Sequence, residues 1–396
     1  MSVRSEAHRL AYLDGLRGLA ALVVVLMHLM ATYFPSLIFA SAANAPGWHT
    51  VLATTPLSFL VSGQLAVIIF FVLSGYVLSA SAINSRQSVI ALTLTRLLRL
   101  GVPASLSVVF AYALYVAGFL DLQGIPEATG HPWAEQFMRP ISSGDAASEM
   151  LGSYFLTGGS SLNGVLWTMR IELIGSIIVY VVFGFMISAR LRVGFLIALT
   201  MAFLILGGGW IYLVGFTAGM LLYESRTLRA PNSLLWWCLA SGLLLGGFPF
   251  EWRGHPIYGP ALIGLHSYYS LADPAIVSRT VGAILVVTAV LHLRPMHSAL
   301  EIPPIKFLGR VSFPLYLLHW PLMQATFTEP YFYLRGSPVQ MILAVVVFLA
   351  ALFALSWLMV TAVDQPLLRW LRQLRHSISP WSRLPFECSS LPRDDR

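Results

Sequence analysis

Hydrophobic positions in this chain gather into long blocks, many of which reach the roughly 20 residues needed to cross a lipid bilayer. No internal repeat, heptad seam or separate soluble segment interrupts the pattern. The blocks predict helices over residues 16–34, 57–80, 97–119, 165–187, 193–208, 210–223, 233–250, 279–293, 311–327 and 338–363. The fifth and sixth are short, and the glycine run between them, 207–209, reads as a tight turn or a kink. The expected architecture is all-α: a polytopic membrane helix bundle of about ten transmembrane helices. It occupies residues 1–375, and residues 376–396 read as a disordered cytoplasmic tail.

Polar positions set the expected orientation. Arg4, Arg9, Arg86, Arg96, Arg190, Arg192, Arg226, Arg229, Arg294, Lys306, Arg310 and the arginines of the tail fall on one side of the bundle. The other side holds little beyond Arg139, Arg253 and Arg335. This asymmetry puts both termini in the cytoplasm. The first block carries Arg17 and His28 and is followed by no small-residue cleavage motif, so it reads as a permanent helix. Two long connections, 120–164 and 251–278, mix aromatic, Pro, Gly and polar residues on the outer side. They either cap the bundle or shape a substrate site.

Composition agrees with the membrane reading. Hydrophobic residues make up 57% of the chain and charged residues 10%, against roughly 25% charged in a soluble domain. The net charge of +7 is almost entirely arginine, Lys306 being the only lysine. These cations lie in short connections rather than on one face, which argues against a nucleic-acid partner. Cys238 and Cys388 support neither a disulfide framework nor a zinc site. No metal-ligand spacing, nucleophile elbow, Walker loop or dinucleotide fingerprint occurs.

Ionisable groups inside a bilayer are costly, so each is a functional candidate. Arg17 and His28 are eleven residues apart. Eleven steps of about 100° return to within about 20° of one helical face, with about 16 Å between the two positions. A planar guanidinium suits phosphate, and an imidazole is the side chain most able to take a proton near neutral pH. This puts an anion site at the cytoplasmic mouth and a base near mid-membrane. The bland alternative pairs Arg17 with Asp14 and His28 with a neighbouring helix. Ser312, Tyr316 and His319 share a second face, and Pro321 should loosen the helix beyond them. These three serve either helix–helix hydrogen bonding or the site. Glu172 is a carboxylate well inside a predicted span and needs a partner from another helix, because Arg170 at i−2 faces elsewhere. Arg96 and Arg99 lie at the inner surface, either as positive-inside anchors or as further sites for a polyanion.

Five stretches together resemble a known family. They are Tyr12-Leu13-Asp14-Gly15-Leu16-Arg17-Gly18 running to His28, Phe70-Phe71-Val72-Leu73-Ser74-Gly75-Tyr76, and Arg96-Leu97-Leu98-Arg99 with Pro103. The others are Asn163-Gly164-Val165-Leu166-Trp167 through Glu172, and Leu308-Gly309-Arg310-Val311-Ser312-Phe313 through Tyr316 to His319-Trp320-Pro321. In this order they are similar to the acyltransferase 3 family of integral membrane O-acyltransferases. Asp364 stands where that family more often has Glu in a Glu-x-Pro motif, and Arg170 with Ile171 is also a departure. The resemblance implies transfer of an acyl group, usually acetyl, from acyl-CoA (acetyl-CoA) to a glycan or polysaccharide hydroxyl. No metal is implied, and the expected location is a bacterial inner membrane. It implies catalytic roles for His28 and Glu172, and donor contacts from Arg17, Arg96, Arg99 and Ser74. The acceptor would meet Trp167, Asn163, Ser312, Tyr316 and His319. A glycan exporter without chemistry and a structural subunit of a polysaccharide assembly remain as alternatives. Oligomeric state is not legible in the sequence.

Overall fold

A computed structural model describes residues 11–33, 55–83, 85, 87–120, 140–248, 273–327 and 337–378. Every hydrophobic block becomes a helix: α1 (Ala11–Tyr33), α2 (Gly63–Ile83), α3 (Val89–Val116), α4 (Trp167–Phe185), α5 (Ala189–Leu206), α6 (Ile211–Glu224), α7 (Asn232–Gly246), α8 (Pro274–His292), α9 (Pro303–Phe327) and α10 (Pro338–Met359). No strand occurs among the described residues. Among the described residues seven helices, namely α1, α2, α3, α4, α5, α8 and α10 with its continuation, are long and apolar enough to cross a membrane. The expected ten therefore exist as helices, but three fall short as spans. α6 and α7 have 14 and 15 residues, and α9, though 25 residues long, has its apolar run interrupted by Lys306, Arg310, Pro314, His319, Pro321 and Gln324.

The predicted boundaries err where hydropathy and helicity part company. α3 begins at Val89, eight residues before its apolar block, because the Ser88 Oγ accepts a hydrogen bond from Ala91 N at 3.2 Å and caps it. α8 likewise starts on Asp273, whose side chain accepts from Ala275 N at 2.9 Å with Pro274 in the first turn. A π-helical turn, Val360–Asp364, leads from α10 into α11 (Gln365–Ile378). Arg369 and Arg372 on α11 are exposed and Leu371 is buried. The long connections expected within 120–164 and 251–278 fall partly, at 121–139 and 249–272, outside the described residues, as do residues 379–396 of the expected tail.

Bundle architecture follows from which faces are apolar. α2 packs against α1, α4, α6 and α8 and is therefore enclosed on most sides. α10 instead turns Val339, Ile342, Leu343, Val346 and Val347 outward, with Val339 66% exposed. A row of exposed branched aliphatics is unfavourable in water and expected against lipid. The most extensive helix pair is α1 on α9. Its closeness depends on small residues: a methyl group on Gly309 would meet Asp14 O at 2.6 Å, and one on Gly18 would meet Leu308 Cβ at 2.7 Å and the Gly309 backbone. Backbone touches backbone here, so no rotamer change can make room.

Gly18→Val is therefore expected to lower stability by about 1–3 kcal/mol, the usual penalty of overpacking, or to prevent accumulation. Thermal unfolding of the detergent-solubilised protein measures this. A variant with an unchanged midpoint would contradict the close α1–α9 approach.

Candidate active site

The expected site residues fall into two groups along α1. The first is cationic. Arg17 lies in the second turn of α1, with Nη1 3.3 Å from Asp14 Oδ1; Asp14 is 64% exposed and the Arg17 side chain 24%. An ion pair this long and this wet is weak, so the guanidinium can exchange it for another anion. The charge of Arg17 also acts on Arg96 and Glu172, and that of Arg99 on Arg17, Arg96 and Asp364. Cations from α1 and α3 thus converge near one end of the bundle. Arg99 is exposed there.

Arg96 is differently placed. Its Nη2 donates to Glu172 Oε2 at 2.7 Å and its Nε to Ser176 Oγ at 3.2 Å. Ser74 Oγ donates to Glu172 Oε1 at 3.0 Å. The partner that Glu172 requires comes from α3 and α2, while Arg170 is exposed and lies against Gly158. With only 13% and 11% of the two side chains accessible, the Arg96–Glu172 pair is a buried one.

The second group is built on His28. Because α1 is continuous from Ala11 to Tyr33, Arg17 and His28 share a face at about 16 Å separation. His28 stands five residues before Tyr33, hence nearer the far end of the helix than its middle. Its ring is buried against α9: Nδ1 lies 2.9 Å from Val24 O and 3.1 Å from His319 Nε2, and Trp320 meets it edge-on at 4.8 Å. His319 is fully buried, and its Nδ1 lies 2.7 Å from Tyr316 O and 3.2 Å from Leu315 O.

Other expected residues build the surrounding wall. Pro321 lacks the N–H that would bond Leu317 O one turn back, yet α9 continues to Phe327. Asn163 Nδ2 supplies the missing donor, reaching Leu317 O at 2.9 Å and Ser107 Oγ at 2.9 Å. Tyr316 OH donates to Val165 O at 2.9 Å and lies 2.9 Å from Thr168 Oγ1, which ties α9 to the turn preceding α4. Trp167 packs on Tyr212 with centroids 5.0 Å apart, and Ser312 Oγ bonds back to Gly309 O at 2.9 Å. Sequence reasoning missed Glu149, which is buried and accepts from Ser160 Oγ at 2.5 Å and Ser161 N at 2.7 Å, bracing the stretch that delivers Asn163. Its sequence neighbourhood is polar and loop-like, so nothing in the pattern marked it. Among the described residues no cluster of three or more His, Cys, Asp or Glu is placed to hold a metal ion.

A helical membrane protein with a buried imidazole and a convergent set of arginines defines a class, and comparison with known proteins narrows it. A family model described as an acyltransferase domain, Acyl_transf_3, matches residues 10–361, and the chain belongs to that family. It is similar to the O-acetyltransferase PaAT-1 of Phomopsis amygdali, 24% identical over 382 residues, covering 81% of this chain and 73% of the relative. No solved structure matches. The protein is accordingly a multi-pass membrane acyltransferase, and the exporter and structural-subunit readings give way to this one.

Removing one member of the buried ion pair should be worse than removing both. Arg96→Leu is expected to cost about 3–5 kcal/mol by leaving Glu172 buried and uncompensated, with Arg96→Leu/Glu172→Leu recovering most of it. Unfolding of the two variants in the same detergent compares them; equal stability would mean that the pair is not buried in the folded protein.

Proposed function

We propose that the protein moves an acyl group, acetyl in the first instance, from cytoplasmic acyl-CoA to a hydroxyl of an extracytoplasmic or lipid-linked glycan. The observation that carries this reading is the placing of His28 and Arg17 on one face of one unbroken helix, in a chain of the acyltransferase family. The acetyl assignment leans on the relative named an O-acetyltransferase. With both termini cytoplasmic, as the arginine distribution indicates, the cationic end of α1 faces the donor and the His28 end faces the acceptor.

Arg17 and Arg99 bind the phosphates of the donor, since guanidinium groups that keep some accessibility are matched to phosphate oxygens. Arg96, held by Glu172 and Ser176, adds to the same positive field, and with Ser74 also bonded to Glu172 the set keeps α2, α3 and α4 in register around it. The arm bearing the thioester runs along the α1 stripe toward His28. There the imidazole takes the acceptor's proton as its oxygen attacks the thioester carbon. The carbon–sulfur bond breaks, and the imidazolium returns the proton to the departing thiolate. Trp167, Asn163, Ser312 and Tyr316 frame the acceptor side through the wall described above. A bacterial inner membrane is the proposed location.

His28→Ala is expected to reduce transfer of radiolabelled acetyl from acetyl-CoA to a panel of polysaccharides by about 10²–10⁴-fold. Undiminished transfer by a folded variant would eliminate His28 as the base. Arg17→Ala should instead raise the KM for acetyl-CoA by about 10–100-fold, the loss of a charge-assisted hydrogen bond, with a smaller change in kcat. An unaltered dependence on donor concentration would remove Arg17 from the donor site.

A further inference from the structure

The contact between the two histidines has a direction that hydrogen-bond bookkeeping can supply. His319 Nδ1 lies within reach of two carbonyl oxygens of its own helix, Tyr316 O at 2.7 Å and Leu315 O at 3.2 Å. Carbonyl oxygens only accept, so this nitrogen carries the proton. In a neutral ring Nε2 is then the acceptor, and it points at His28 Nδ1, 3.1 Å away. That nitrogen also faces a carbonyl, Val24 O at 2.9 Å. Both neighbours of His28 Nδ1 therefore call for a donor there. Any other assignment sets a lone pair against a lone pair or one N–H against another in a buried place, where the cost is greatest.

We propose that His319 is a positioning residue: through its Nε2 acceptor it holds His28 in the Nδ1–H tautomer, so that His28 Nε2 carries the lone pair. This deepens the general-base reading of His28 and rests on it. Nε2 is the nitrogen that removes the acceptor's proton. As His28 becomes an imidazolium, the Nδ1–H donor to His319 and Val24 turns into a charge-assisted one and strengthens. The stabilisation thus grows as the charge develops, which is what lowers a barrier rather than merely tightening the ground state. Trp320, edge-on to His28 at 4.8 Å, limits rotation of the same ring. Such an orienting partner lies outside any contact with donor or acceptor, so its loss should appear in turnover and not in donor binding.

The test uses purified full-length protein with radiolabelled acetyl-CoA and the acceptor on which the unaltered protein is active. His319→Leu keeps roughly the volume and removes the acceptor; kcat is expected to fall about 10–100-fold with the acetyl-CoA KM within about twofold. His319→Gln can present an amide oxygen at the position of Nε2 and is expected to restore most of kcat. Full turnover by His319→Leu, or equal impairment of the Leu and Gln variants, would overturn the proposal. A measurement independent of activity is ¹⁵N NMR of the histidine-labelled protein, with the His28 signals assigned by their absence in His28→Ala. It should find His28 protonated at Nδ1 and bare at Nε2. Protonation at Nε2 instead would overturn the proposal even if His319→Leu proved too unstable to assay. A His28→Ala variant that retained transfer would defeat the general-base reading itself, and the NMR result would still report on the histidine pair.

Discussion

Glycines at 18 and 309 let α1 settle on α9 with their backbones in contact, and the meeting of the two histidines depends on that seating. α1 carries both Arg17 and His28, while α9 carries His319 and Trp320. If the two helices stood apart by the width of even a small side chain, the imidazoles could not meet at 3.1 Å. The same seating directs Arg17 toward the field of α3 and α4, where Arg96, Arg99 and Glu172 lie. Close packing without bulky side chains is how membrane helices associate when no hydrophobic force separates lipid from protein.

The second constraint is that buried polar groups need partners, and the bundle meets it with interhelical pairs. Arg96 is held by Glu172 and Ser176. Arg192 on α5 joins Glu224 at 2.7 Å and the carbonyl of Met186 at 2.7 Å, so it closes the exposed end of α4 as well as neutralising a carboxylate. Arg279 on α8 gives hydrogen bonds to Gln64 and to Phe248 O, and Gln64 passes one on to Tyr212. Asn163 replaces the donor that Pro321 cannot provide. These side chains are committed to holding helices together. Arg17 and Arg99 differ in keeping accessible surface beside the cluster, which fits them to meet a ligand's phosphates.

Much of the outline was legible from residues alone. The apolar blocks located α1 to α10, though not α11 or the short helices Ser143–Met150 and Arg294–Leu300, and a spacing of eleven put Arg17 and His28 on one face, because helical periodicity is a local property. The need of Glu172 for an interhelical partner was also evident, since a carboxylate buried in apolar surroundings cannot stand alone. Helix ends were read poorly. Hydropathy reports contact with lipid, whereas α3 and α9 run on into polar sequence, and α11 lies wholly beyond the last apolar block. Asn163 and Tyr316 stood out as motif residues, but their task of fastening the α4 turn to α9 was not legible: Asn163 serves a carbonyl that Pro321 of α9 leaves free, and Tyr316 reaches Val165 O across the interface.

Sequence by itself therefore determined the solvent this protein folds in, the helices, the family and the two residues at the centre of the proposed chemistry. Each of these is written in local composition, local period or motif order. Tertiary structure alone decided that Arg96 is the partner of Glu172, that His28 leans on His319, and that Asn163 repairs the break at Pro321. Those are pairings between residues 76, 291 and 154 positions apart. Nothing in a one-dimensional pattern states which helix will lie against which, because that choice is made by the packing of whole helical faces.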